Sequence, residues 1–404
     1  MKKQWIKIPE LLFFQEGPGV RNTQYTTSGV KLLNVANLVD GKVDLSTSER
    51  YISEEEAYGK YKHFLCEKGD FIVASSGIKV EYIDKKMGFI DESMLPLCMN
   101  TSTIRFKVLD PSTLRIRYFM YYLKSQSFKE QLARYITGSA QLNYGPSHIK
   151  QMVLPWIPLE SQDELVRRLD GIQTVIGYKK RQLSCLDELV KSRFVEMFGD
   201  PFHNPFGWKE IKISEVLGGR VSNGYFAKRE DYVADGNVAV LGVANVVNRM
   251  YSQCAELPRT NASLADIEKY RLQYGDMLFC RSSLVAEGIG KASIVPRTVQ
   301  PNTLFECHVI RLPLNLNLCV PEYMQVLTTT EYFRQQILSQ AKTATMTTIG
   351  QEGILKSLVL LPPLDLQQQF LSFIAEVDKS KLAVKQSLEK LETLKKSLMQ
   401  QYFG

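Results

Sequence analysis

Several short stretches carry residue types whose spacing could do chemistry. The run EGIGKAS at 287–293 sets a lysine behind two glycines, the raw material of a phosphate-cradling loop. Such a loop also needs a glycine five positions before Gly290 and a Ser or Thr after Lys291, and Val285 and Ala292 stand there instead. The run reads as a hairpin turn. Asp200 with Glu210 and Lys212 has the residue types of a nuclease carboxylate set, but Asp200 falls in the turn-rich stretch DPFHNP (200–205), where no strand would present it. Cys307-His308 with Cys319 lacks a fourth ligand at zinc spacing and reads as buried thiols. NPFG at 204–207 lacks the second proline of the Asn-Pro-Pro-aromatic motif with which amino-methyltransferases hold a flipped base. The four histidines, His63, His148, His203 and His308, have no neighbours suited to proton transfer. No catalytic or metal-ligating set is complete, so the expectation is a chain without catalysis, metal or cofactor of its own.

The elements that would position any site are written twice. A shift of 205 positions (145 onto 350) lays residues 145–199 on 350–404 without a gap. Gly145 meets Gly350, Pro158-Leu159-Glu160-x-Gln162 meets Pro363-Leu364-Asp365-x-Gln367, and Phe198-Gly199 meets Phe403-Gly404. The front of each half repeats more loosely: IKIPELL (6–12) with IKISEVL (211–217), LNVANLV (33–39) with LGVANVV (241–247), and Gly69-Asp70 with Gly275-Asp276. The middles diverge. One scaffold reading two different things would look like this.

Each body mixes short β-rich runs, such as DFIVASS (70–76) and DMLFCRSS (276–283), with Gly, Asn, Asp and Pro turns. An amphipathic helix over 118–135 recurs at 322–339. The tails step four and three residues at a time. Leu169, Ile172, Ile176, Leu183, Leu186 and Val190 form one seam, interrupted by Lys179 and Arg193. Ile374, Val377, Val384, Leu388, Leu391 and Leu398 form the other, interrupted by Lys381 and Lys395. The basic residues of one seam stand where the other has an apolar one, so the two helices read as partners in a coiled coil. Connectivity makes that pairing antiparallel, with Gly404 near the N-terminus. The expected fold is therefore mixed α/β (α+β), with two pseudo-two-fold-related domains joined by a long antiparallel two-helix coiled coil. The expected boundaries are a body over 1–155, a helix over 156–199, a linker over 200–205, a body over 206–360 and a helix over 361–404.

At 404 residues, 44% hydrophobic and 23% charged, the chain has room for two ordinary cores. A net charge of +7 fits a nucleic-acid partner without requiring one, and no Lys/Arg-rich tail concentrates it. The cysteines (Cys66, Cys98, Cys185, Cys254, Cys280, Cys307, Cys319) are odd in number and form no CxxC pair, which points to reduced thiols in a reducing compartment. MKKQWIKIPELLFF is broken by Pro9 and Glu10 and is not read as a signal peptide. No run approaches the ~20 apolar residues of a membrane helix. A cytoplasmic protein without a membrane partner is expected.

VLPWIPLESQ (153–162) and LVLLPPLDLQ (358–367) before the long helices, MFGDPFHNPFGW (197–208) and GDMLFCRSS (275–283), in their duplicated order, resemble type I restriction–modification specificity (S) subunits along essentially the whole chain. The resemblance implies that the bodies are target recognition domains, each reading one half of an asymmetric, interrupted site in double-stranded DNA. It implies that the helices set the spacer and dock two methyltransferase (M) subunits, which carry S-adenosylmethionine for DNA methylation. Two restriction (R) subunits would bring ATP and Mg, and this chain would be the non-catalytic subunit of the restriction system. A helix from Leu165 to Met197 would be roughly 50 Å long at ~1.5 Å per residue, about 15 base pairs of duplex.

Base readout needs fixed donors and acceptors at base edges, while Lys, Arg and backbone amides hold phosphates. The candidates lie in three pairs of polar loops at equivalent places. Arg21, Asn22, Gln24 and Tyr25 stand beside Tyr225, Lys228 and Arg229; Ser75, Ser76 and Lys79 beside Arg281, Ser282, Ser283 and Lys291; and Asn143 and Tyr144 beside Lys342, Thr343 and Thr345. At each position the alternative is an ordinary solvated loop residue. Two rival functions are a single-chain restriction–methylation enzyme, whose motifs are missing, and a structural coiled-coil adaptor without sequence-specific DNA binding, which needs no diverged duplicate bodies.

Overall fold

The computed structural model describes residues 4–135, 142–343 and 346–404. The chain divides into two compact units, residues 1–179 with 386–404, and residues 180–385. Six helices carry the architecture: α1 (Ile116–Leu123), α2 (Gln126–Tyr135), α3 (Leu159–Phe198), α4 (Pro321–Thr329), α5 (Glu331–Gln340) and α6 (Leu364–Phe403). The two 40-residue helices, α3 and α6, each give one half to each unit.

In the first unit an antiparallel sheet runs in the order Leu12–Glu16, Thr103–Val108, Phe71–Ala74, Met87–Phe89. Phe71–Ala74 is buried along its whole length, the behaviour of an unbroken apolar run covered on both faces. The Phe106 ring lies 5.0 Å from Phe119 of α1, which covers that sheet. A smaller sheet sets Leu97–Met99 parallel to Val30–Leu33, and a two-stranded ribbon pairs Gln4–Lys7 with Val153–Trp156 at the entrance to α3. Gln162, buried in the first turn of α3, fixes that entrance. Its amide donates to the Ile157 carbonyl (2.8 Å) and the Thr113 carbonyl (3.1 Å), and its oxygen accepts from the Arg115 N–H (2.9 Å).

The second unit repeats this plan. Its four-stranded sheet runs Ser222–Asn223, Val309–Pro313, Asp276–Cys280, Ala292–Ile294; Val238–Leu241 pairs parallel with Thr303–Phe305; and Lys209–Lys212 pairs with Leu358–Leu361. Gln367 donates to the Pro362 carbonyl (2.8 Å) and accepts from the Val320 N–H (2.8 Å), the bonds of Gln162 moved by the same 205 positions. The Tyr118 hydroxyl donates to the Pro155 carbonyl (2.6 Å), and that of Tyr323 to the Leu360 carbonyl (2.9 Å). These pairs correct the helix register read from sequence: the counterpart of 118–135 is 323–340, one residue later than 322–339. One residue is about 100° of helix rotation, enough to turn the buried face outward.

Each long helix begins on one body and ends in the core of the other unit. Phe198, at the end of α3, packs its ring 4.7 Å from Tyr323 in the second unit, with Phe194 and Phe370 beside it. Phe403, at the end of α6, lies 5.1 Å from Tyr118 in the first unit. Within the second unit α3 and α6 run antiparallel, with Lys381 paired to Asp187 (2.6 Å) and Arg193 over the Phe373 ring. Within the first unit Lys395 donates to Gln173 (2.6 Å). Every apolar seam residue named from the heptads is buried or half-buried, whereas Leu189, Leu382 and Leu394, just off the seam, are exposed. Among the described residues no helix is long and apolar enough to cross a membrane.

Candidate nucleic-acid interface

The second and third candidate loops of the first unit are one structure. Ser76–Ile78 pairs with Leu142–Asn143, and the Tyr144 N–H donates to the Ser75 carbonyl (2.9 Å). Tyr144 is buried and donates its hydroxyl to the Ala74 carbonyl (3.0 Å); Ser75 is buried as well. These two residues build the frame and leave the outward positions to Ser76 and Lys79, half-buried and exposed respectively. Lys79 lines a hollow of about 380 Å³ with Tyr82, Lys85 and Lys86, and the Lys85 ammonium lies 5.6 Å from the centre of the Tyr82 ring. Loop residues 137–141 and the side chain of Asn143 lie outside the described residues.

The second unit joins the same two loops with the same bond: the Ile349 N–H donates to the Arg281 carbonyl (3.0 Å). Ser282–Ser283 pairs with Thr347–Thr348, which also pairs with Lys342–Thr343. Lys342 and Thr343 are exposed; Thr345 lies outside the described residues. The Arg281 guanidinium donates back to the Cys307 carbonyl (3.3 Å), and Ser282 Oγ meets His308 Nδ1 at 3.1 Å. Ser283 is half-buried, and Lys291 donates to Asn248 (2.6 Å). The EGIGKAS run links the antiparallel strands Asp276–Cys280 and Ala292–Ile294 and is the hairpin connection expected of it.

The first pair of loops matches, with a shift. In one, the Arg21 N–H is capped by Gln24 (3.0 Å) at the head of a short turn over Asn22–Gln24; in the other, the Lys228 N–H is capped by Asp231 (2.8 Å) ahead of Arg229–Asp231. Arg21, Asn22, Lys228 and Arg229 are exposed. Tyr25 then corresponds to Tyr232, and Tyr225 plays another part, its hydroxyl donating to the Asn261 carbonyl (3.3 Å). Gln24 is held by Glu56 (2.6 Å) and Tyr61 (3.0 Å), and Tyr25 is covered by Arg50. Among the described residues no hydrogen bond joins this loop to the other two in the first unit. In the second unit Gln351 donates to Asn223 (3.0 Å) and ties the segment before Tyr225 to the one after Ile349.

Sequence reading missed Tyr82, Lys85 and Lys86, although KVEYIDKK (79–86) displays basic residues interleaved with an aromatic. It also missed the exposed apolar tips Phe226 and Leu284, a type of side chain that meets thymine methyl groups. The residues weighed for catalysis are engaged locally. The Asp200 carboxylate pairs with His203, which holds its pKa below the usual range; Glu210 accepts from the Tyr332 hydroxyl (2.7 Å); burial pushes the Cys319 thiol up to about 12. Among the described residues no group of three or more His, Cys, Asp or Glu side chains is placed to hold a metal ion.

No family model matches the chain. It is 22% identical over 326 residues to the type I restriction enzyme EcoKI specificity subunit of Escherichia coli K12, covering 73% of this chain and 67% of that one. It is 23% identical over 190 residues to the type I restriction enzyme MjaVIII specificity subunit of Methanocaldococcus jannaschii, covering 46% of this chain and less than half, 43%, of that relative. Among solved structures it is similar to a chain from work on complex assembly and conformational transition of the type I R-M system (TM-score 0.58, 15% identity, 99% of this chain and 97% of that one). It is also similar to the type I restriction–modification system S subunit from M. genitalium (TM-score 0.50, 15% identity, 100% and 97%). At such identities the structural likeness is one of fold.

Proposed function

We propose that this chain, which belongs to the type I restriction–modification specificity subunits, reads double-stranded DNA as two half-sites, one by each unit. One observation carries the reading. The two bodies keep the same internal bonds, Gln162 with Gln367, Tyr118 with Tyr323, and Tyr144–Ser75 with Ile349–Arg281, while the side chains those frames present differ. Ser76 and Lys79 project from one; Ser282, Lys342 and Thr343 project from the other. A conserved frame with changed tips is what reading two sequences with one scaffold requires.

In this reading α3 and α6 set the gap between the half-sites and dock two methyltransferase subunits. S-adenosylmethionine belongs to those partners, ATP and Mg to two restriction subunits, and the complex works in the cytoplasm. The adaptor alternative has no observation in its favour.

Gel retardation with the chain and its methyltransferase subunits tests this. A duplex holding the cognate interrupted site is expected to shift at concentrations at least 10³-fold lower than a scrambled one, with affinity falling steeply as salt rises. Equal retardation of all duplexes would favour the adaptor.

A further inference from the structure

The second unit holds a buried acid that its own fold leaves half satisfied. Glu322, in the first turn of α4, is 2% exposed. One carboxylate oxygen, Oε1, accepts from the hydroxyls of Tyr251 (3.1 Å) and Tyr274 (3.5 Å). The other, Oε2, is buried and has no hydrogen-bond partner among the described residues. The start of α4 offers it a favourable potential, but no N–H reaches it. A buried carboxylate oxygen left in this way costs more than a neutral one, so its persistence calls for a partner. Glu322 lines a hollow of about 280 Å³ together with Tyr251, Tyr274, Arg297 and Leu371.

The other copy shows what is missing. The position equivalent to Glu322 by the 205-residue shift is Arg117. Arg117 makes a forked pair with Asp170 of α3 (2.6 and 3.1 Å), and the Tyr121 hydroxyl completes the group (2.6 Å). In the second unit the equivalent of Asp170 is Ala375, so the charge on the body helix is inverted and its mate on the long helix has gone. Arg297 does not replace it: its guanidinium stacks 3.7 Å from the centre of the Tyr274 ring and makes no ion pair with Glu322 among the described residues.

We propose that the hollow formed by Glu322, Tyr251 and Tyr274 is a binding site for an alkylammonium group. An ammonium has three N–H donors, and the hollow is lined by the unpartnered Glu322 Oε2 and by the phenols of Tyr251 and Tyr274. A compact point charge suits the space better than a second planar guanidinium, because Arg297 already covers the face of Tyr274. The group comes either from a free amine or from a lysine of a partner protein.

The probe is n-propylammonium chloride, followed by saturation-transfer NMR on the full chain, with sodium chloride matching ionic strength. Saturable binding is expected in the wild type. It should weaken at least tenfold in Glu322→Gln, and several-fold in Tyr251→Phe, which removes one hydroxyl and keeps the ring. Arg117→Gln in the other copy should leave it unchanged. No saturable binding in the wild type, or equal binding in Glu322→Gln with an unaltered melting temperature, overturns the proposal. If Glu322→Gln does not fold, Tyr251→Phe decides alone. Repeating the titration with the methyltransferase subunits bound separates the sources: loss of probe binding identifies a partner lysine, and retention a free amine.

Discussion

At the scale of single residues, the copies differ most plainly in one repeated ion pair. Asp70 is met by Arg105 (3.1 Å) and Lys107 (3.2 Å), whereas among the described residues its counterpart Asp276 has only Arg311, at 4.0 Å. Burial, weakly opposed, pushes the Asp276 carboxyl up to about 6 from an ordinary 3.8. The folded state therefore takes up a proton at a higher pH than the unfolded chain does. Stability from this group is greatest below about pH 4 and declines as pH rises through about 6, by about 3 kcal/mol at most. Asp276→Asn should remove that slope and leave stability at pH 7 unchanged or higher, because the Arg311 guanidinium keeps the Arg271 carbonyl (2.7 Å). Asp70→Asn leaves the buried Arg105 without its carboxylate, although Lys107 keeps Glu67 (2.6 Å), and should cost about 3 kcal/mol or more. Melting temperatures of both variants between pH 4 and 7 check the contrast; equal losses at pH 7 would contradict it. Residue-scale detail was the least legible part of the sequence. Ser75 and Tyr144 look like polar loop residues by type, yet their neighbours bury them, and Tyr25 matches Tyr232 because insertions had moved the register there by two further positions.

At the scale of elements, the long helices were the most legible, since a heptad seam is visible without knowing any contact. The exchange of ends followed from connectivity, which set Gly404 near the N-terminus; what the seam could not show was the packing there, because Phe198 and Phe403 lie past the heptads and their partners Tyr323 and Tyr118 sit on distant helices. That exchange makes a specific prediction. Phe403→Ala should cost about 3–5 kcal/mol, and Leu394→Ser less than about 0.5 kcal/mol. The loss in Phe403→Ala should appear as faster amide exchange in α1, some 280 residues earlier in the chain. Faster exchange confined to α4 would show that the helix end belongs to the other core.

At the scale of the whole molecule, duplication was legible because the tails align without a gap, and the proposed division of labour rests on bodies that diverge between better-kept tails. Which loop side chains would read bases did not follow, because loop tips carry no period. The decisive measurement is selection of bound duplexes from a random pool by the chain with its methyltransferase subunits, repeated with Lys342→Ala and Thr343→Ala combined. Two enriched sequence blocks separated by a fixed, unselected gap are expected, with the double variant blurring one block and leaving the other and the gap intact. A single contiguous block, or a variant that blurs both blocks alike, would contradict the claim that each unit reads its own half.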